Sequence, residues 1–150
     1  MKLAEALNER KELQTRLDRL HDRLTANVRV QEGDTPSEDP VKLFALLDHT
    51  AAELQALIYR IGRTNIETIV EGRSLADWVA EREVAQRKFN IMRDVLDTAA
   101  RRTERQSAAE IRILATIDVA AYQKSLDQLA VRIREIDETV QAANWTTELL

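Results

Sequence analysis

The stretch VAAYQKSLDQLAVRIREIDETVQAA, residues 119–143, decides the fold. Val119, Tyr122, Leu126, Leu129, Ile133, Ile136, Val140 and Ala143 step 3-4-3-4-3-4-3 along it. A period of 3.5 residues lays them along one seam of an α-helix and predicts left-handed, coiled-coil-like packing against a neighbour. Asp118 stands where that helix needs an N-cap.

Working outward, the same signal recurs in weaker form. Ser74-Leu75-Ala76-Asp77 reads as a capping arrangement that opens a helix running to about Arg101, with Trp78, Val79, Ala85, Phe89, Met92 and Leu96 on its buried side. Asp39 and Pro40 read as the N-cap and first position of an earlier helix that runs to about Arg63. Its stripe is Leu43, Leu47, Ala51, Leu54, Ile58 and Ile61, and Gly62 and Asn65 are its stop signals. The first helix spans about Lys2 to Ala26, with Leu3, Leu7, Leu13, Leu17, Leu20, Leu24 and Val28 on its stripe and Arg10 interrupting it.

In two places the period changes to two. Asn27 to Glu32 (NVRVQE) and Glu110 to Ile117 (EIRILATI) alternate and are rich in β-branched residues, as short strands are. Short connections make consecutive helices antiparallel neighbours. The expected fold is therefore mainly α: an up-down-up-down bundle of long helices. The two strands should meet at one end as a small β-ribbon, beside the loop Gly33 to Pro40.

Composition agrees with this. The chain has 150 residues, about one domain (1–150), and no linker or repeat divides it. With 44% hydrophobic residues, 3 Gly and 2 Pro, it is too apolar for disorder and too poor in breakers for a many-stranded fold. The 22 basic residues are spread among 26 acidic ones for a net charge of −4, so no nucleic-acid footprint is expected. No Cys is present to form a disulfide or a thiolate metal site. No stretch approaches the roughly 18 apolar residues of a membrane span, and Glu5 and Glu9 interrupt any leader, so the expected compartment is the cytoplasm.

Several segments carry a resemblance: Asn27 to Pro40 (NVRVQEGDTPSEDP), Ile61 to Asn65 (IGRTN), Glu110 to Val119 (EIRILATIDV) and Ala143 to Leu149 (ANWTTEL). Together they resemble a largely uncharacterised bacterial family of small helical proteins often labelled septicolysin. The resemblance spans essentially the whole chain and implies its fold and length. The label implies a cytolysin. Such a protein would have to be exported and to present a large amphipathic insertion element, and the residues show neither.

Chemistry-bearing residues are few. His21 and His49 are the only histidines, and Asp18-x-x-His21 supplies half of one di-iron motif without a second. The loop holds Glu32, Asp34, Glu38 and Asp39, oxygen ligands suited to a hard cation but without EF-hand spacing. If the two strands pair, Glu32 and Glu110 meet at one tip and repel unless a countercharge intervenes. A divalent metal ion, Arg63 or Arg112 could supply it, so Glu32 and Glu110 are the candidate metal ligands. Glu81, Glu83, Glu135 and Glu138 resemble in spacing the acidic motifs of all-α nucleotide pyrophosphatases, yet they flank the seam of the last helix. Arg101 to Arg105 (RRTER) is a short basic turn with no aromatic beside it to stack a base.

Large apolar residues also fall off the stripes: Phe44, Leu46, Leu57, Ile91, Val95, Val131, Trp145, Leu149 and Leu150. Exposed apolar patches mark interfaces. The expectation is thus a helical scaffold or structural protein forming a homo-oligomer, a dimer or higher, with a hexamer compatible. A metal-dependent all-α hydrolase and a protein-binding adaptor are the alternatives.

Overall fold

The computed structural model describes residues 1–101 and 111–150. Among them run four long helices: α1 (Leu3–Asn27), α2 (Pro40–Glu67), α3 (Leu75–Ala100) and α4 (Val119–Thr146). The expected starts are found. The Asp39 carboxylate accepts from the Val41 N–H at 2.9 Å, with Pro40 at the first helical position. Asp118 does the same for α4, accepting from the Ala121 N–H at 3.1 Å. Each satisfies an amide that the helix itself leaves unbonded. Asp39→Ala should therefore cost about 1 kcal/mol and lower the melting temperature by roughly 2–4 °C, measurable by thermal circular dichroism.

The small antiparallel ribbon is present, but in another place. It is β1 (Ile69–Val70) and β2 (Arg73–Ser74), between α2 and α3, with Ile69 opposite Ser74 and Val70 opposite Arg73. Glu71 (φ 51°) and Gly72 (φ 78°) join the strands. Two central residues at positive φ suit the right-handed twist of a tight hairpin, and glycine takes that conformation without strain. The expected strands at 27–32 and 110–117 are not strands among the described residues: Asn27 ends α1, residues 28–32 are loop, and 111–117 are irregular. A period of two makes a strand only when a neighbour supplies the ladder bonds, and neither segment finds one among the described residues. The second helix also outruns its expected end, carrying Gly62 and Asn65 inside it to Glu67. Burial elsewhere on its surface outweighs the small local penalty of one glycine.

The chain forms two compact units. Residues 1–75 and 141–150 make the first, in which α1 and α2 run antiparallel. Leu20 and Leu24 near the end of α1 cluster with Leu43 and Leu47 near the start of α2. Burial on α1 follows Leu3, Ala6, Arg10, Leu13, Leu17, Leu20, Leu24, Asn27, again stepping 3-4-3-4-3-4-3. On α2 it follows Leu43, Leu47, Thr50, Leu54, Leu57, Ile61, Thr64. Leu57, expected to be exposed, is buried, and Ile58, expected on the stripe, is exposed. The seam keeps its period and accepts Thr50 and Thr64 rather than bending to reach the nearest large apolar residue.

Residues 76–140 make the second unit. Here α3 and α4 are antiparallel: Arg82 bonds Asp137 at 3.0 Å and Glu81 bonds Arg132 at 2.9 Å, while Phe89 and Asn90 share a groove with Ala130 and Ile133. Trp78, Ala85 and Leu96 are buried on α3, and Leu126, Ile136 and Val140 on α4. No helix among the described residues is long and apolar enough to cross a membrane.

Candidate functional site

Two of the four loop carboxylates between α1 and α2, Glu38 and Asp39, hold the loop itself. Glu38 forms a two-pronged ion pair with Arg23, whose Nε lies 3.0 Å from Oε2. Asn27, buried at the end of α1, accepts from the Glu38 N–H through Oδ1 at 2.9 Å and donates through Nδ2 to the Arg23 carbonyl. Asp39 is the cap of α2. Glu32 and Asp34 are exposed. Glu110, the other expected metal ligand, lies outside the described residues. The strand pairing that would have joined it to Glu32 has no counterpart in residues 27–32 and 111–117. Arg63, one expected countercharge, pairs with Glu67 four residues on in its own helix at 2.9 Å. Among the described residues no group of three or more His, Asp or Glu side chains is placed to hold a metal ion.

The other acidic candidates are also tied to partners. Glu81 accepts two bonds from Arg132, at 2.9 and 2.7 Å, and Glu135 lies 3.7 Å from the same guanidinium. Arg132 sits over the Trp78 ring, 5.5 Å from its centroid, so the cation is held between a carboxylate and an aromatic face. Glu83 and Glu138 are exposed. His21 and His49 are exposed beside Asp22 and Glu53.

Two segments that carried the family resemblance meet in the first unit. Thr64 of the IGRTN segment donates its hydroxyl to the Arg60 carbonyl at 2.8 Å and accepts from the Leu150 N–H at 3.0 Å. Close by in sequence, Thr147 to Leu149 pair with Met1 to Leu3: the Leu3 N–H donates to the Thr147 carbonyl and the Leu149 N–H to that of Met1, each at 2.9 Å. Glu148 bridges to Lys2 at 2.7 Å. These contacts tie the end of the chain to α2 and to the start of α1.

Lys2 holds the Glu148 carboxyl below the usual carboxylate range, and Arg23 does the same for Glu38. A depressed pKa contributes stability above the unfolded value, near 4.5 for Glu, and loses it as pH falls through the folded value. Thermal stability should thus decline below about pH 4.5. In a Glu38→Gln/Glu148→Gln double variant the decline should be shallower, as scanning fluorimetry across pH 3 to 7 would show.

What remains without an explanation inside the chain is apolar surface. In the second unit a groove of about 530 Å³ is bounded by Asp94, Val95, Thr98, Ile113, Leu114 and Ile117. A neighbouring one of about 460 Å³ shares Val95 and Ile117 and adds Met92, Leu96 and Tyr122. On α3, Val84, Lys88, Ile91, Val95 and Thr98 are all exposed and step 4-3-4-3, a second stripe flanking the buried one, about 100° round the helix from it. Ile91, Val95 and Val131 were expected to be exposed and are; the continuous stripe was overlooked because Lys88 and Thr98 interrupt its apolar reading. In the first unit Phe44, Leu46 and Trp145 are likewise exposed.

Comparison with known proteins places this geometry in a family. The model of a family of unknown function (DUF6847) matches residues 10–149. A functionally unknown conserved protein from Corynebacterium diphtheriae, solved by crystallography, is similar over 100% of this chain and 99% of its own. The two share 37% sequence identity with a TM-score of 0.93. No curated protein matches the chain. The expected membership of an uncharacterised family is thus supported, while the septicolysin label is carried by neither match.

Proposed function

The chain belongs to this family of unknown function, and from that premise we propose that it is a structural or scaffold protein that assembles with copies of itself. The observation that supports this is the apolar surface outside the buried seams, present on α2 and α3, on residues 111–117 and at the start of α4. Removing such surface from water is worth about 25 cal/mol per Å², and patches of several hundred Å² are uncommon on monomers. Closed symmetry makes a dimer, or a ring built on dimers, the natural product. The reading stands without a cation, since the loop carboxylates Glu38 and Asp39 already have partners. Multi-angle light scattering at micromolar concentration tests it: a mass of at least twice 17.2 kDa is expected. A mass of 17.2 kDa at every concentration would overturn it.

A further inference from the structure

Residues 111–117 (IRILATI) have the composition of a strand and the environment of none. Ile111 is 94%, Ile113 76% and Leu114 73% exposed. No backbone hydrogen bond joins residues 111–117 to any other part of the described chain. Residues 111–115 belong to no helix or turn and the chain bends at 116–117. An apolar segment whose N–H and C=O groups have no partner among the described residues is a template for another strand.

We propose that residues 111–117 pair antiparallel with the same residues of a second copy, making a two-stranded ribbon across a two-fold axis. This rests on the self-association proposed above and names its contact. Centred on Leu114, the pairing takes in all seven residues once the bend at Thr116 and Ile117 straightens. Ile111 then opposes Ile117, Ile113 opposes Ala115 and Arg112 opposes Thr116, so β-branched pairs form and no like charges face each other. Alternation puts Ile111, Ile113, Ala115 and Ile117 of both copies on one face of the ribbon. The exposed parts of Ile111, Ile113 and Ile117, with Val95 and Tyr122 beside Ile117, amount to roughly 600 Å² per copy, the lower end of what each partner of a specific interface buries. The occupant is a second copy because the segment is complementary to itself in register, charge and area.

The chain has no cysteine, so a single one introduced reports its own contacts. Leu114→Cys places the two thiols opposite each other at the axis, at a Cα separation that a disulfide spans. Mild oxidation should convert it to a covalent dimer, while Ile66→Cys, equally exposed on α2 in the other unit, should remain uncrosslinked. Ile113→Arg should lower the solution mass at least two-fold, and because Ile113 is exposed its circular dichroism should be unchanged. If the unaltered protein is oligomeric but Ile113→Arg keeps its mass and Leu114→Cys fails to crosslink, the ribbon is wrong and the scaffold reading survives. If the unaltered protein is a monomer, both fall.

Discussion

Ile136→Asp is expected to unfold the protein. Ile136 is fully enclosed, at 0% exposure, in the middle of the α4 seam, with Val140 nearly so one step on. Two guanidinium groups near that position, Arg82 and Arg132, are already held by Asp137 and Glu81. Burying an unpaired carboxylate costs several kcal/mol even after its pKa rises to keep it neutral. Loss of the isoleucine side chain adds about 2–5 kcal/mol for the lost burial and the cavity. Against a total stability of about 5–15 kcal/mol, little remains. Circular dichroism should show most of the helical signal lost at 25 °C. A melting temperature within a few degrees of the unaltered protein would show that this seam is not the core.

Thr50 and Thr64 should respond oppositely to the same substitution. Both lie on the α2 seam two heptads apart, and both are at 0% exposure. The Thr50 hydroxyl has no hydrogen-bond partner among the described residues, whereas that of Thr64 links the Arg60 carbonyl to the Leu150 N–H. Thr50→Val replaces an unsatisfied buried hydroxyl by a methyl group of similar shape and should stabilise by about 1 kcal/mol. Thr64→Val removes two bonds and leaves the Leu150 amide unmatched, which should cost about 1–3 kcal/mol. At about 2–4 °C per kcal/mol for a chain of this size, the two melting temperatures should fall on opposite sides of the unaltered protein. A decrease for both would mean that Thr50 finds a partner after all, and the seam would then have no unmatched hydroxyl.

Those two threonines also show where the sequence stops being legible. The period of 3.5 residues, plain in α4, governs burial in all four helices, but an apolar criterion loses it wherever a seam position is polar. On α2 that criterion slid from Thr50 to Ala51 and from Leu57 to Ile58, and on α1 from Ala6 to Leu7 and from Asn27 to Val28. Asn27 could have been recognised, since an asparagine at the end of a helix before a Gly-Asp loop is well placed to bind backbone on both sides, as it does with Arg23 and Glu38. The helix starts at Pro40 and Val119 were readable because capping is a local matter of one carboxylate and one amide.

The ribbon was foreseen in kind and misplaced in position. Residues 28–32 and 111–117 alternate as strands do, and alternation records a preference for a pleated, half-buried setting without naming the partner. The actual hairpin, Ile69 to Ser74, is too short to show a period; its signal was the Glu71-Gly72 pair directly after the β-branched Thr68, Ile69 and Val70. The acidic loop was legible as carboxylates but not as carboxylates with occupations, because the ion pair of Glu38 with Arg23 joins elements 15 residues apart. Nothing local in a sequence fixes such a pair.

Self-association through residues 111–117 is tested most directly by hydrogen exchange at the amides of those residues as a function of concentration. Within one chain these amides have no acceptor among the described residues, so in dilute solution they should exchange at the rate of an unstructured peptide. As concentration rises, alternate amides of the segment should become protected together as the mass doubles, because an antiparallel pair bonds every second residue across the ladder. Exchange at the unstructured rate at every concentration, in a protein whose mass is nonetheless that of an oligomer, would contradict it.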